Sequence, residues 1–178
     1  SYLSEYKFTT ILTSCRMVQM TRKHGVNQMS GVAFATLGLL TVAILGDIKT
    51  ATQLAETALL VQALAGSKFL QTATVFSCYV FVLSRTQPLQ SCFTPLLESF
   101  SCGMRSGNTE CAMWSLSTHH GFLPYTMGKP LESILATCSI CASQAEELKN
   151  QDIQFYTRML WQVILNLMGE SSETMLLK

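Results

Sequence analysis

Apolar residues recur along this chain at steps of three and four positions, which is the spacing of one face of an α-helix. Few stretches alternate apolar and polar residues as a half-buried strand does. Each stripe predicts a helix that buries one face against its neighbours. The three clearest stripes are Ile48, Ala51, Ala55 and Leu59; Leu89, Cys92, Leu96 and Phe100; and Leu131, Ile134, Cys138 and Ala142.

Glycines divide the stripes in two interleaved series. The members of the first series follow one another at a constant step of about 41 residues, a length typical of helical repeats. The second series has a double step and then a single one, with Gln87 at the vacant midpoint. Glycine is favoured where a helix ends, because the chain there often adopts a left-handed conformation. We therefore predict structural turns at Gly25, Gly66 and Gly107 in one series and at Gly46, Gly128 and Gly169 in the other.

Stripes and turns together predict an all-α fold. Pro88 and Pro130 suit the first turn of a helix, whereas Pro95 and Pro124 fall inside predicted helices and indicate kinks or early ends there. The predicted helices cover about residues 4–23, 28–45, 47–64, 68–85, 88–104, 108–126, 130–148 and 151–168, with another that begins near 171.

The expected architecture is an α-solenoid, a tetratricopeptide-like superhelix of antiparallel helix pairs with a period of about 41 residues. It forms a single helical-repeat domain over residues 1–178. The chain begins at Ser1 without methionine and ends on what reads as the first turn of a helix. We therefore expect a fragment of a longer protein.

One segment is apolar enough to raise the question of a membrane span. The uncharged segment 26–46 would form a helix of about 30 Å, which is long enough to cross a bilayer. The equivalent later segments contain His119 and His120 in one case and Asp152 and Arg158 in the other. Charges at mid-membrane are costly, so a buried inner helix is the favoured interpretation.

Composition limits the classes of partner. Charged residues are only 13% of the chain and the net charge is +1. We therefore expect no extended positive electrostatic potential that would attract nucleic acid or anionic lipid. Seven cysteines, an odd number, are mostly scattered through apolar surroundings, which is typical of reduced thiols in an intracellular protein. We expect a cytoplasmic protein that neither binds nucleic acid nor inserts into a membrane.

The residues that could carry chemistry have simpler structural interpretations. Cys138 and Cys141 form a C-x-x-C without a second ligand pair, and Cys138 occupies a stripe position, so packing is favoured over metal or redox chemistry. His119 and His120 are adjacent and point about 100° apart on a helix, so they do not suit one metal ion. Neither a nucleophile elbow nor a phosphate loop is present. We expect no catalytic residues, no metal and no cofactor.

An aromatic-rich segment near the end of the chain suggests where a partner binds. Trp114 and Phe155 occupy the same position of the 41-residue repeat as Val32 and Ala73. We call these four residues a column, and its apolar character favours a place in the core. Solenoids usually bind peptides on one exposed face, and aromatic and arginine residues are enriched in interfaces. The candidate partner-binding residues are His120, Arg158 and Trp161.

The segment "SGVAFATLGLLTVAILGDIKTATQLAETAL" resembles the tetratricopeptide-like helical region that follows the ATPase domain in large multidomain signalling regulators. In these proteins an AAA-type or STAND-type ATPase is joined to a serine/threonine kinase-like domain and often to a histidine kinase or cyclase. "RSGNTECAMWSLSTHHGFLPYTMGKPLESILATCSI" and "RMLWQVILNLMGES" look like further repeats of that region. The period exceeds the standard of about 34 residues, and Arg85, Thr86 and Gln87 stand where a glycine turn is expected.

The resemblance implies a regulatory scaffold without catalysis of its own. It would bind a protein, a peptide or other domains of the same polypeptide and pass a change in conformation to a catalytic domain. Two alternatives stay open from the residues alone. One is a small helical membrane protein with spans at 31–46 and 72–84; the other is a helical metal-binding or enzymatic module that uses His119, His120 and the two cysteines of "CSIC".

Overall fold

The computed structural model describes residues 2–170, with side chains from Thr9 onward, and no strand occurs in that range. The prediction of an all-α chain is therefore confirmed. The helix predicted near residue 171 lies outside the described residues. The α-helices are α1 (Tyr2–His24), α2 (Ser30–Leu40), α3 (Ile48–Ala65), α4 (Lys68–Ser77), α5 (Phe93–Ser106), α6 (Thr109–Ser117), α7 (Leu123–Thr126), α8 (Leu131–Glu147) and α9 (Gln151–Met168).

The helices pack in two rows. In one row α2 contacts α4, α4 contacts α6, and α6 contacts α9. In the other row α3 lies against α2 and α4, α5 against α4 and α6, and α8 against α6 and α9, while α1 contacts α2. Helices α2, α4, α6 and α9 are called the inner helices below, and α1, α3, α5 and α8 the outer helices.

The chain reverses direction at the predicted glycines. All six have positive φ, between 66° and 90°, and the residue that ends the reversal after α8 is Lys149 with φ 54°. A Cβ atom at Gly66 or Gly107 would meet nothing within 4 Å, so backbone conformation alone favours glycine there. No glycine follows α4, where Thr86 and Gln87 both donate from their backbone N–H to the carbonyl of Leu83.

Three of the inner helices begin in the same way. Ser67, Asn108 and Asn150 are the N-cap residues of α4, α6 and α9, and each side chain accepts a hydrogen bond from the backbone N–H three residues later. This contact satisfies one of the donors that the first turn of a helix leaves without a partner. The caps therefore provide a common origin from which positions on the three helices can be compared.

Three inner helices do not stay α-helical to their ends. Helices α2, α4 and α6 run into π-helical turns at Thr41–Leu45, Cys78–Val82 and Thr118–Phe122. Each π turn adds a residue and rotates the side chains that follow it. The sequence analysis predicted continuous helices here, because a period of 3.6 residues gives no sign of a single inserted residue.

The prolines act at helix starts more than inside helices. Pro88 and Pro130 lie one residue before their helices instead of in the first turn. The helix predicted around Pro95 is instead divided into a short 3-10 turn, Leu89–Cys92, and α5. Pro95 is the third residue of α5, where a backbone N–H would have no partner within the helix, so no kink results. Pro124 follows the π turn of α6 and has no N–H to donate to the carbonyl of His120, four residues earlier. That carbonyl accepts a hydrogen bond from the Thr137 hydroxyl at 2.8 Å.

Small side chains fill much of the core. The middle two positions of each predicted stripe are buried, the end positions are mostly half-buried, and Ile48 is exposed. Helices with small residues at their contacts approach closely, so even one added methyl group lowers the stability of the fold. A Cβ at Gly103 would lie 2.8 Å from the Asn108 carbonyl oxygen. The small buried apolar residues are Ala33, Ala35, Ala51, Ala55, Ala58, Cys78, Cys92, Ala112, Cys138, Cys141 and Ala145.

Buried polar side chains meet in pairs across the helix contacts. Each pair joins an outer helix to the inner helix that follows it, and several of the hydroxyl groups also donate to a backbone carbonyl, so these polar groups are satisfied inside the core. The hydroxyl–hydroxyl distance is 3.1 Å between Ser99 and Ser115. The other pairs are Thr21 with Ser30 at 2.7 Å, Gln62 with Thr74 at 3.3 Å, and Cys141 with Thr157 at 3.8 Å.

The described residues include no helix that combines the length and the apolar character needed to cross a bilayer. The segment that raised this question, residues 26–46, is divided between a loop, α2 and its π turn. Ala33 and Ala35 of α2 are buried against other helices of the chain. The favoured interpretation of this segment as a buried inner helix agrees with these contacts.

Asn108 should contribute more stability than an ordinary cap. Its Oδ1 accepts from the Cys111 N–H, and its Nδ2 donates to the Phe69 carbonyl at 2.8 Å, which ties α6 to the start of α4. Asn108→Ala is expected to lower the free energy of unfolding by about 2–3 kcal/mol, since both a cap and a buried partner are lost. Urea denaturation measures the change.

Asn150→Ala is the matched control, because Asn150 caps α9 through Ile153 and has no second hydrogen bond shown. We expect it to cost about 1 kcal/mol. Equal losses for the two variants would mean that the bond from Asn108 to Phe69 contributes nothing.

Candidate functional site

Two of the three predicted partner-binding residues lie together on α9. Arg158 and Trp161 line a shallow groove of about 270 Å³ with Gln162 and Leu165. These four residues follow one another at helical spacing, so they form one face of the helix. His120 is not among the residues that line this groove; it lies in the π turn after α6.

Phe155 extends the same face toward the start of α9. Its side chain is 62% exposed, and on a helix it lies on the same side as Arg158 and Gln162. The sequence analysis favoured a core position for the column of Phe155, and for Phe155 this is wrong. The residues that enter the core of α9 are Ile153, Thr157, Leu160 and Ile164. We call the surface formed by Phe155, Arg158, Trp161, Gln162 and Leu165 the α9 face.

Counting from the N-caps shows that this face has buried counterparts. The fifth residue after the cap is Thr72 in α4 and Met113 in α6, and both are fully buried, whereas in α9 it is the exposed Phe155. The eighth residue is Val75, Leu116 and Arg158 in the same order. The fifth position is thus covered on both preceding inner helices, and the eighth is covered on α6 and half-buried on α4.

Helices cover the corresponding face of α6. Met113 and Leu116 form a core cluster with Cys141 and Ala145 of α8 and Ile153 of α9. In the part of the chain that the structure describes, no element follows α9 to do the same. Phe155 and Arg158 are exposed and Trp161, Gln162 and Leu165 are half-buried, so the described residues leave part of this helix-packing surface uncovered.

Arg158 gives the face a positive charge. The guanidinium makes no hydrogen bond or ion pair with any residue from Thr9 to Glu170, and the side chain is exposed. Beside it, the amide of Gln162 donates to the Asn166 side chain at 3.0 Å. A planar cation next to an indole ring and an aliphatic side chain is suited to bind a carboxylate that is flanked by apolar groups.

A row of aromatic rings connects α9 with the inner helices before it. Tyr156 packs on Trp114 with ring centroids 5.1 Å apart and stacks on Phe122 at 4.7 Å. Trp114 in turn lies 6.4 Å from Phe76. These rings are half-buried, as is the predicted core residue Trp114 itself. Through these contacts Tyr156 joins α9 to α6 and to the π turn that follows it.

The adjacent histidines lie in the π turn and face the start of α5. The His119 ring packs edge-on against Phe93 at 4.9 Å and lies 5.0 Å from the His120 ring. The Nδ1 atoms of both are buried without a hydrogen-bond partner among the described residues. No group of three or more potential metal ligands occurs in the described range.

Burial lowers the pKa of His119 below its ordinary value of 6.5, and the neighbouring His120 lowers it further. Burial also lowers the pKa of His120, against an opposing contribution from Thr137. Desolvation disfavours the charged imidazole, so the folded chain binds protons less readily than the unfolded chain. The stability from this source is present above pH 6.5 and is lost as the pH falls toward the lowered values.

We expect the His119→Gln, His120→Gln double variant to lose less stability than the natural chain between about pH 7.5 and about pH 5.5. Chemical denaturation at the two pH values measures this loss. His24→Gln is the control, because His24 is exposed at the end of α1 and its replacement should leave the loss unchanged. The same pH dependence in the double variant would contradict the assignment.

The two cysteines of the C-x-x-C are buried inside α8. Burial raises the pKa of the Cys138 thiol to about 12 and also raises the pKa of Cys141. Cys141 lies 3.8 Å from the Thr157 hydroxyl, within the contact between α8 and α9. Thiols in this state are poor nucleophiles, and their positions fit the packing role that the sequence favoured.

Cys138 and Cys141 should react with iodoacetamide only after the chain unfolds, since little thiolate forms and the reagent cannot reach it. Half-buried Cys15 should react before them in the native chain. Mass spectrometry after timed labelling gives the order. Labelling of Cys138 at the rate of Cys15 would contradict its burial.

A second groove lies between α3 and α5, and the sequence analysis did not find it. It encloses about 240 Å³. Glu98 is the only charged side chain among the described residues that line it. The packing of three helices brings these side chains together, so no local spacing reveals the groove. The lining residues are Leu59, Gln71, Val75, Tyr79, Pro95, Glu98, Ser99 and Cys102.

Neither the models of known protein families nor the curated proteins searched include a match to this chain. The assignment of function therefore depends on the chain's own geometry and on the resemblance seen in its repeats.

Proposed function

We propose that the chain is a non-catalytic helical-repeat scaffold that binds proteins and couples domains in a multidomain signal-transduction ATPase or kinase of the cytoplasm. In this proposal its architecture is an α-solenoid with a period of about 41 residues. Each helix pair contacts only its neighbours, so a change at one end of the array can be passed along it. The scaffold itself needs no cofactor.

The spacing of caps and turns supports the repeat. The N-caps Ser67, Asn108 and Asn150 follow one another at nearly equal steps and share one hydrogen-bond pattern. The helix starts at Ile48, Leu89 and Leu131 have the same spacing, counting the 3-10 turn that leads into α5. Nearly equal steps in sequence between equivalent helix starts are what the proposed repeat requires.

The observation that carries the proposed role in binding is the α9 face. Thr72 and Met113 are fully buried, while Phe155 at the corresponding place is 62% exposed on the helix whose next turns carry Trp161 and Leu165. Large aromatic side chains on an open surface are the usual anchors of protein interfaces. A scaffold that ends in such a surface can bind another domain of its own polypeptide or a separate protein.

The Phe155→Ala, Trp161→Ala double variant tests the role in the multidomain protein to which the proposal assigns this chain. We expect its ATPase or kinase activity to change by about fivefold or more, the usual scale of coupling between sites, or its oligomeric state to change. Enzyme assays and light scattering after size-exclusion chromatography provide the readout.

The control is the Leu60→Ala, Leu64→Ala double variant on α3, where both leucines are more exposed than Phe155 but lie on another helix. It should leave activity and assembly unchanged. Thermal unfolding verifies that all variants fold, since surface substitutions usually alter stability by less than about 0.5 kcal/mol. Unchanged activity and assembly in the α9-face variant would contradict the proposed function.

A further inference from the structure

The charge of the α9 face distinguishes it from the covered faces of the inner helices before it. At the eighth position after the N-cap, Val75 of α4 is half-buried and Leu116 of α6 is buried, but α9 has Arg158. Another unit of the same kind as α8 and α9 would place small apolar side chains against this arginine. Burying an unpaired guanidinium costs several kcal/mol, by order of magnitude, so such a cover is unfavourable.

The shape of the face fits a helix. Its apolar members, Phe155, Trp161 and Leu165, extend over three turns, or about 15 Å of α9. On α6 the equivalent surface is covered by side chains of two helices, which shows that this geometry accepts helices as partners. An amphipathic helix recognises such a surface through residues spaced three and four apart.

The charge decides which helix fits. Arg158 has no partner in the described part of the chain, and a carboxylate can accept two parallel hydrogen bonds from its guanidinium. A second copy of the chain docked on the same face by two-fold symmetry would bring two Arg158 side chains together, and their repulsion disfavours it. A helix with a carboxylate beside its apolar residues satisfies both the cation and the aromatic surface.

We propose that the α9 face binds an amphipathic helix of a partner protein that places an Asp or Glu side chain opposite Arg158, between apolar residues that contact Phe155, Trp161 and Leu165. This inference rests on the proposed function and adds the chemistry of the partner. Trp161 and Phe155 provide the buried contact area, and the pair with Arg158 selects among helices of similar apolar character.

A display library of helical peptides provides the probe. The peptides keep an apolar stripe and vary the flanking positions among acidic, basic and neutral residues, and they are selected on the full chain. We expect the enriched peptides to carry Asp or Glu next to the stripe. Their affinity should fall about tenfold or more on Arg158→Glu and recover when the acidic residue of the peptide is changed to lysine.

Arg105→Glu is the matched control, because Arg105 is an exposed arginine of α5 remote in sequence from the face. It should change the affinity by less than about twofold, as expected for a distant surface charge. Circular dichroism of both charge variants establishes that the fold is kept.

Three results would overturn the inference. Peptides without an acidic residue could dominate the selection, or the enriched peptides could bind Arg158→Glu as well as the natural chain. Deletion of residues 171–178 could raise the affinity tenfold, which would make the chain's own end the occupant of the face.

The outcomes separate the inference from the proposed function. If Phe155→Ala and Trp161→Ala weaken peptide binding and Arg158→Glu does not, the face binds partners and only the acidic chemistry is wrong. If none of the three substitutions affects the enriched peptides, the face is not a binding surface and the proposed function loses its support as well.

Discussion

The close approach of helices through small side chains is the constraint on which the rest of this structure depends. Alanine and cysteine make up half of the buried apolar residues, and the space beside Gly103 is too small for a methyl group. Polar groups in such a tight core must find partners across the contact, because water has no space to enter. The pairs of Ser99 with Ser115 and of Gln62 with Thr74 satisfy this need and fix the register of neighbouring helices.

Among the described residues the buried core consists of small and aliphatic side chains, while the aromatic rings lie nearer the surface. Phe76, Trp114 and Tyr156 form a half-buried layer that joins the inner helices, and the same kind of residue becomes exposed where the row of helices stops. The α9 face thus follows from the way the inner helices pack. It corresponds to the face that α6 buries against α8 and α9, but no helix follows α9 in the described chain. Arg158 makes this face unfavourable for another helix pair like α8 and α9, and in our proposal it favours a helix that carries a carboxylate.

Sequence periodicity predicted the helices, the six positive-φ glycines and the buried middle of each stripe, because these features depend on close neighbours along the chain. It did not predict the π turns, since one inserted residue leaves the average spacing almost unchanged. It grouped Arg158 and Trp161, which line one groove of α9, yet it separated Phe155 from them and included His120, which packs beside His119 near α5. A count from the cap Asn150, compared with Asn108, would have aligned Phe155 with a buried methionine, but its exposure depends on which helix comes next.

A double-mutant cycle between Ser99 and Ser115 tests the central claim most directly. Both hydroxyls are buried, they lie 3.1 Å apart, and they belong to α5 and α6. If paired polar groups fix the contact between closely packed helices, Ser99→Ala and Ser115→Ala should be coupled by about 0.5–1.5 kcal/mol in the free energy of unfolding. Strictly additive effects of the two substitutions would contradict the account.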